Sequence, residues 1–293
     1  MSGASSPRAG EAGAGEGADP ESLLSLAVEA ARMAGGLLLE RFRRGDEQAV
    51  ATKSTPTDLV SEADFASQRA VRELLAGRRP GDDFLGEEDE AGEAPATTPA
   101  VERGGLRWVV DPLDGTVNFL FGIPQWCVSV AVQEAGGATL AGAVFDPCRE
   151  ELFTARVGGG AELNGAPIAG SGREDLAQAM VATGLYYDAG VRARQARVLA
   201  QLIPLVRDLR RLGSAALDLA WTAAGRYDAY FERGVKLWDV AAGALICGEA
   251  GLEVHRLEEV AASQGEDGAG APLPAGILAA GPALAPPLLA LVR

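Results

Sequence analysis

Apolar positions recur at helical spacing from Pro20 to Phe42, where Leu23, Leu24, Ala27, Ala30, Ala31 and Ala34 form one stripe. Pro20 and Glu21 suit the first turn of that helix. The next stretch, AVATKSTPTDLVSEAD (49–64), predicts a short strand, a turn and a second strand. SEADFASQRAVRELLAGRRPG then reads as a helix, with Ser61 and Asp64 at the spacing of a capping box and Gly77 or the Arg-Arg-Pro as its stop. A short apolar piece follows in DDFLG, then an acidic, Pro-containing loop over 89–105, then the buried strand LRWVV (106–110).

WCVSVAVQ alternates, with Val128, Val130 and Val132 on one side and the small Cys127, Ser129 and Ala131 on the other. ATLAGAVFDP and ELFTARVGGGAELNG continue as sheet with Gly-rich turns. Beyond about residue 172 strands and helices alternate. MVATGL, YDAYFERG and AGILAAG read as strands, DAGVRARQARVLAQLIPLVRD as one helix, LRRLGSAALDLAWTAAG as a strand-to-helix turn, and WDVAAGALICGEAG as a helix with a Gly stop. The chain therefore reads as α/β: a hairpin-rich, antiparallel half at 21–172 and a layered half with a mixed or parallel sheet at 173–293. Residues 1–20, rich in Gly, Ala, Ser and Glu, lack the basic start and apolar core of a signal peptide and read as a disordered tail.

At 293 residues with 47% hydrophobic content, the chain can bury a large core. Its 26 basic and 41 acidic residues leave a net charge of −15, which disfavours a broad grip on nucleic acid or anionic lipid. The same charge repels an anionic substrate unless bound metal inverts the local sign. Three widely spaced cysteines, Cys127, Cys148 and Cys247, form neither a disulfide framework nor a zinc knuckle, so a reducing cytoplasm is expected. The single His255 rules out chemistry that needs two histidines and reads as a surface or satisfied core residue. No run suggests a membrane span.

The candidate chemistry lies in RWVVDPLDGTVNFLFG (107–122), where an apolar strand ends in Asp111 and Asp114. Two like charges about 4 Å apart repel by roughly 4 kcal/mol at a surface-like dielectric, and a divalent cation is the obvious compensation. Glu87 after FLG, Asp239 at a helix start and Asp64 are further candidates. Hard oxygen donors without His or Cys favour Mg²⁺ or Mn²⁺. Singly, each has an ordinary reading: a capping acid for Asp64, a dipole-complementing acid for Asp239, a solvated loop for Glu87 and a turn for Asp-Gly-Thr. The spacing of Asp111 and Asp114 is not the D-x-D-G-T of aspartyl-phosphate phosphatases, no cysteine has Arg six positions on, and no P-loop is present. GGGAELNG (158–165) reads as a tight hairpin turn.

Taken in order, DLVSEAD (58–64), GEED (86–89), WVVDPLDGTVNF (108–119), GSAALDLA (213–220) and WDVAAG (238–243) closely resemble the inositol monophosphatase family of Mg²⁺-dependent, lithium-sensitive phosphatases, from about residue 22 to about 280. The resemblance implies an α/β sandwich of alternating helix and sheet layers, usually a homodimer. It implies Glu87, Asp111 and the Leu113 carbonyl around one Mg²⁺ and Asp111, Asp114 and Asp239 around a second, with a third, more hydrated ion near Glu87 and Mn²⁺ as a possible substitute. Asp64 and Thr116 would activate water, and Gly115 would let backbone N–H groups approach the phosphate. Asp114, Ala215 and Glu232 would contact the alcohol, with Ser214 beside them.

The implied activity is hydrolysis of inositol-1-phosphate or a similar polyol monophosphate. Fructose-1,6-bisphosphatase, histidinol phosphatase and 3′-phosphoadenosine 5′-phosphate phosphatase share the metal motif, and some bacterial relatives act as partners of the transcription machinery. The expected partners are thus a small phosphate monoester and a second copy of the chain, with neither membrane nor direct nucleic-acid contact.

Overall fold

The structure is a computed structural model that describes residues 19–45, 50–52, 59–89, 105–134, 136–265 and 268–293. The expected tail, up to residue 18, and the acidic loop over 90–104 lie outside the described residues.

Helix α1 (Pro20–Arg44) starts where the Asp19 carboxylate accepts from the backbone N–H groups of Glu21 and Ser22, and Gly45 closes it in the left-handed region. The short ribbon of β1 (Val50–Thr52) and β2 (Leu59–Ser61) leads into α2 (Glu62–Arg78), whose capping box is formed by Ser61 and Asp64 as the spacing predicts. Next come β3 (Asp83–Gly86), a 3-10 turn at Glu87–Asp89, β4 (Arg107–Asp114), the short α3 (Thr116–Leu120), β5 (Cys127–Gln133), β6 (Thr139–Asp146), β7 (Glu151–Arg156), β8 (Ala161–Leu163) and β9 (Ala166–Ile168). β3 to β9 form a seven-stranded sheet in sequence order, antiparallel except for the parallel pair β3–β4.

The chain continues with β10 (Met180–Thr183), α4 (Ala189–Leu202), β11 (Asp208–Arg210), α5 (Ala215–Ala223), β12 (Ala229–Arg233), α6 (Leu237–Glu249) and β13 (Glu253–Leu257). A ribbon of β14 (Ser263–Gly265) and β15 (Gly268–Gly270), then β16 (Gly276–Ala280) and α7 (Ala285–Val292), complete it. The second sheet has the order β11-β10-β12-β16-β13 and is mixed, with β10 parallel to both neighbours.

The layers alternate: α1 and α2, the seven-stranded sheet, α5 and α6, the five-stranded sheet, then α4 and α7. Three apolar clusters fill the gaps. β5 shows why: Val128, Val130 and Val132 face α1, whereas Cys127 and Ala131 face α5 and α6. Helix α6 lies between two sheets, which explains its almost uninterrupted run of small apolar residues. Its approach to β6 is backbone-close, since a Cβ on Gly142 would stand 2.9 Å from the Ala242 Cα. Packing thus accounts for part of the WDVAAG motif.

The structure departs from the sequence reading in four places. The helix expected through residue 208 stops at Leu202, because Pro204 cannot donate to a continuing helix and restricts its predecessor. Strand β4 runs on through Asp114 rather than ending at 110. β13 and α7 were not foreseen, the latter because its Pro286-Pro287 start resembles a loop although Pro is accepted in a first turn. Finally, α1 is long and apolar enough to cross a membrane by length and composition. Its stripe, from Leu23 through Ala27, Ala30, Ala31 and Ala34 to Leu38, is buried against β5, β6 and α2. His255 sits half-exposed on β13 with Glu253 at 2.9 Å, and Gly158–Gly160 form the turn of the β7–β8 hairpin.

Candidate active site

Strand β4 carries the centre of the site through a bulge. Asp111 pairs with Ser129 and Asp114 with Cys127, so two residues of β4 stand opposite one of β5. Pro112, which has no N–H to give to the ladder, is one of the two. In a regular strand residues three apart face opposite sides. The extra residue turns Asp114 onto the same face as Asp111, toward α5 and α6, and returns Leu113 to the α1 side, where it is buried. Gly115 follows at φ 98, and a Cβ there would lie 2.9 Å from the Gln125 carbonyl oxygen. The helix it opens, α3, has only five residues, so its dipole adds less than a full helix would.

The other carboxylates arrive from separate elements. Glu87 stands at the end of β3, in a 3-10 turn held by Gln68, which accepts from the Glu88 N–H and donates to Asp89. Asp239 is in the first turn of α6, where Oδ2 accepts from the Lys236 N–H at 2.6 Å. Asp64 Oδ2 accepts from the Ser61 N–H and hydroxyl at 2.8 and 2.6 Å, while Oδ1 accepts from Thr116 Oγ1 at 2.9 Å. The capping acid therefore also reaches 52 positions along the chain. Thr116 Oγ1 is 3.1 Å from the Leu113 carbonyl oxygen as well, bringing that carbonyl to the Asp64 side of the bulge.

Asp114 is held by the start of α5. The Ser214 hydroxyl and Ala216 N–H donate to Oδ2 at 2.6 and 2.7 Å, the Ala215 N–H donates to Oδ1 at 3.2 Å, and the Cys127 thiol lies 3.6 Å away. A carboxylate from the first sheet thus caps a helix that leads into the second. Ser214, expected beside the alcohol, is buried and commits its hydroxyl to Asp114. Asn118 Nδ2 reinforces this junction by contacting the carbonyls of Gln125, Leu212 and Gly213. Half-buried Glu232, at the end of β12, accepts from the Tyr230 hydroxyl at 2.8 Å.

The electrostatics are those of an acidic pocket. Asp111 is 2% exposed and Asp114 8%. Burial, followed by repulsion from Glu87, Asp114 and Asp239, holds Asp111 well above the usual carboxylate range. Asp239 is pushed well up by burial, then by Glu87 and Asp114. Burial also raises Asp114 and Asp64, opposed by their hydrogen bonds. Glu232 rises to about 7 through burial, with Tyr230 and Arg211 pulling it down. No basic side chain is among the main influences on Asp111, Asp114 or Asp239.

Among the described residues, no three His, Cys, Asp or Glu side chains stand in ready metal-holding geometry. The carboxylates feel one another's charge without closing on a common point. Their chemistry nevertheless fits a hard divalent cation: oxygen donors, buried or half-buried, whose charges repel one another, with no basic side chain among the main influences on Asp111, Asp114 or Asp239.

Three residues escaped the sequence reading. Cys127 read only as a small strand residue, and Arg211 carried no motif of its own. Asp218 on α5 is fully buried, and neither carboxyl oxygen has a hydrogen-bond partner among the described residues. An acid inside the apolar stretch ALDLAW was the available signal for it.

The family model for the inositol monophosphatase family matches residues 19–290, so the similarity includes α7, beyond the expected limit near 280. The chain is 47% identical over 238 residues to inositol-1-monophosphatase SuhB of Mycobacterium tuberculosis, covering 78% of this chain and 81% of that protein. Nus factor SuhB of Pasteurella multocida is 41% identical over 230 residues, covering 78% and 83%. The structure of extragenic suppressor protein suhB from Bartonella henselae superposes with a TM-score of 0.80 at 32% identity, covering 93% of this chain and 98% of that one. Sequence and fold agree: the chain belongs to the inositol monophosphatase family of phosphatases.

Proposed function

We propose that the chain is a Mg²⁺-dependent hydrolase of inositol-1-phosphate or a similar polyol monophosphate, acting as a homodimer in the cytoplasm. The observation that carries this reading is the bulge in β4, which turns Asp111 and Asp114 onto one face and within the charge influence of Glu87 and Asp239, with no basic side chain among the main influences on Asp111, Asp114 or Asp239. Glu87, Asp111 and the Leu113 carbonyl would hold one Mg²⁺ and Asp111, Asp114 and Asp239 a second, with Glu87 assisting a third and Mn²⁺ able to substitute. When bound, such cations neutralise phosphate charge, acidify the attacking water and stabilise the departing alkoxide.

The chain's own part is positioning and proton transfer. Thr116 fixes Asp64 through a 2.9 Å hydrogen bond, and burial makes the Asp64 carboxylate a stronger base than usual. Asp64 takes a proton from water while the water oxygen bonds to phosphorus and the P–O bond to the alcohol breaks. The alkoxide is protonated from solvent, Asp64 returns its proton, and alcohol and inorganic phosphate leave. Gly115, free of a Cβ, lets backbone N–H groups approach the phosphate. Ala215, Glu232 and Asp114 would meet the alcohol, with Ser214 acting through Asp114.

A phosphate-release panel of inositol-1-phosphate, fructose-1,6-bisphosphate, histidinol phosphate and 3′-phosphoadenosine 5′-phosphate tests this directly. Turnover of inositol-1-phosphate should vanish in EDTA, return with Mg²⁺ and return in part with Mn²⁺. No turnover of any member in Mg²⁺ would refute the reading. A second role as a partner of the transcription machinery is favoured by relatives named Nus factor SuhB. Full function in cells of an Asp111→Asn chain would favour that role over catalysis.

A further inference from the structure

Side chains alternate along the end of β12. Phe231 and Arg233 turn toward α7, where the buried Arg233 guanidinium donates to the carbonyls of Val292, Glu258 and Pro274. Tyr230 and Glu232 turn to the other face, with Tyr230 in the apolar cluster around α5 and α6. The neighbouring β10 runs parallel with Thr183 opposite Phe231, so Gly184 comes to rest beside Glu232. A Cβ added to Gly184 would run into the Glu232 carboxyl carbon and both carboxyl oxygens. The carboxyl group thus lies across the bare Cα of Gly184, while the Tyr230 hydroxyl donates to its Oε2 at 2.8 Å. The Gly184 backbone is outside the left-handed region, so space and not torsion calls for glycine there. Neither strand end is free to give way. Arg233 ties down β12, and α4 clips the loop after Gly184: Gln195 accepts from the Tyr186 N–H at 2.9 Å, and Arg192 donates to the carbonyls of Tyr186 and Tyr187 at 3.1 and 2.6 Å. A side chain at 184 would therefore displace the Glu232 carboxyl rather than the backbone.

The bond from Tyr230 is the one hydrogen bond to the Glu232 side chain among the described residues. A carboxylate has about four lone-pair positions, so most of its accepting capacity is left for a ligand that donates. Adjacent hydroxyls on a polyol ring are such donors, and a site built to bind them rejects an alcohol that lacks them. We propose that Gly184 and Tyr230 are positioning residues, which seat the Glu232 carboxylate where it accepts hydrogen bonds from the hydroxyls of a polyol phosphate. The proposal rests on the phosphatase reading above, in which Glu232 meets the alcohol.

The test compares kcat/KM for inositol-1-phosphate with that for p-nitrophenyl phosphate, a monoester whose leaving group carries no further hydroxyl. Gly184→Ala, Tyr230→Phe and Glu232→Gln are measured singly, and the first two also in the Glu232→Gln background. Gly77→Ala, where an added Cβ meets open space, is the control. Gly184→Ala and Glu232→Gln should each lower the inositol-to-nitrophenyl ratio by about tenfold, and Tyr230→Phe by about threefold or more, mainly through KM. In the Glu232→Gln background neither second substitution should lower the ratio further, because the carboxylate it seats is gone. Gly77→Ala should leave the ratio in place. Circular dichroism melts verify folding, and a structural defect would lower both substrates together and leave the ratio unmoved. A ratio unmoved by Gly184→Ala or by Tyr230→Phe, or one that falls as far again in the Glu232→Gln background, overturns the proposal while leaving the phosphatase reading intact. A ratio unmoved by Glu232→Gln overturns the proposal and the Glu232 contact together. A wild type active on p-nitrophenyl phosphate alone overturns the proposal and the polyol substrate class, and one inactive on both substrates overturns the phosphatase reading as well.

Discussion

Asp111→Asn should reduce Mg²⁺-dependent phosphate release by about 10³-fold or more while the fold survives. Asp111 is the carboxylate on which the others converge, being repelled by Glu87, Asp114 and Asp239 at once. Its one protein hydrogen bond among those described is local, from the Leu113 N–H at 3.0 Å, so an amide can take its place with little structural loss. Asp114 is a poorer choice for this experiment, since it also caps α5 through Ser214, Ala215 and Ala216. Removing a repelled buried charge should leave the metal-free melting temperature unchanged or raise it. Phosphate release and thermal melts in EDTA provide both readings. A variant keeping more than about a tenth of the wild-type rate would contradict the assignment.

The second large effect is on stability. In EDTA the melting temperature should fall by about 10 °C or more between pH 5 and pH 8, and saturating Mg²⁺ should remove most of that fall. The sign follows from the direction of the shifts. Glu232 has a folded value of about 7 against an ordinary 4.5, so between those values the unfolded chain has released a proton that the folded chain retains. Stability then declines as pH rises through this window, with the full loss reached above pH 7. Glu232 alone accounts for at most about 3 kcal/mol. Asp218, buried without a partner, and the raised Asp64, Asp111, Asp114 and Asp239 act in the same direction. A melting temperature that is flat or rises with pH in EDTA would contradict this account.

Much of this was readable in the sequence. The Ser61–Asp64 capping box and the two faces of β5 follow from periodicity and local spacing, which report what a residue does within its own element, whereas the alternating layers were implied by the family resemblance. The bulge was not readable. Pro112 hinted at a disturbance, but only pairing with β5 shows that two residues stand against one and that Asp114 therefore changes face. The hold of α5 on Asp114 also depends on contacts some 100 positions apart, which no local pattern encodes. Asp218 was hidden for the opposite reason: inside the motif GSAALDLA it looked like part of a signature, whereas its full burial without a partner is visible only in three dimensions. Elements whose first residues mimic loops, such as α7 behind Pro286-Pro287, are the other systematic loss.

The central claim is that the β4 bulge builds a cation site. Isothermal titration of the metal-free chain with MgCl₂ at pH 8, beside the Asp111→Asn variant, tests it without reference to any substrate. Uptake of about two Mg²⁺ ions per chain by the wild type, with most of that heat lost in the variant, is the result predicted here. Equal heats in both chains, or no saturable uptake by the wild type, would contradict it.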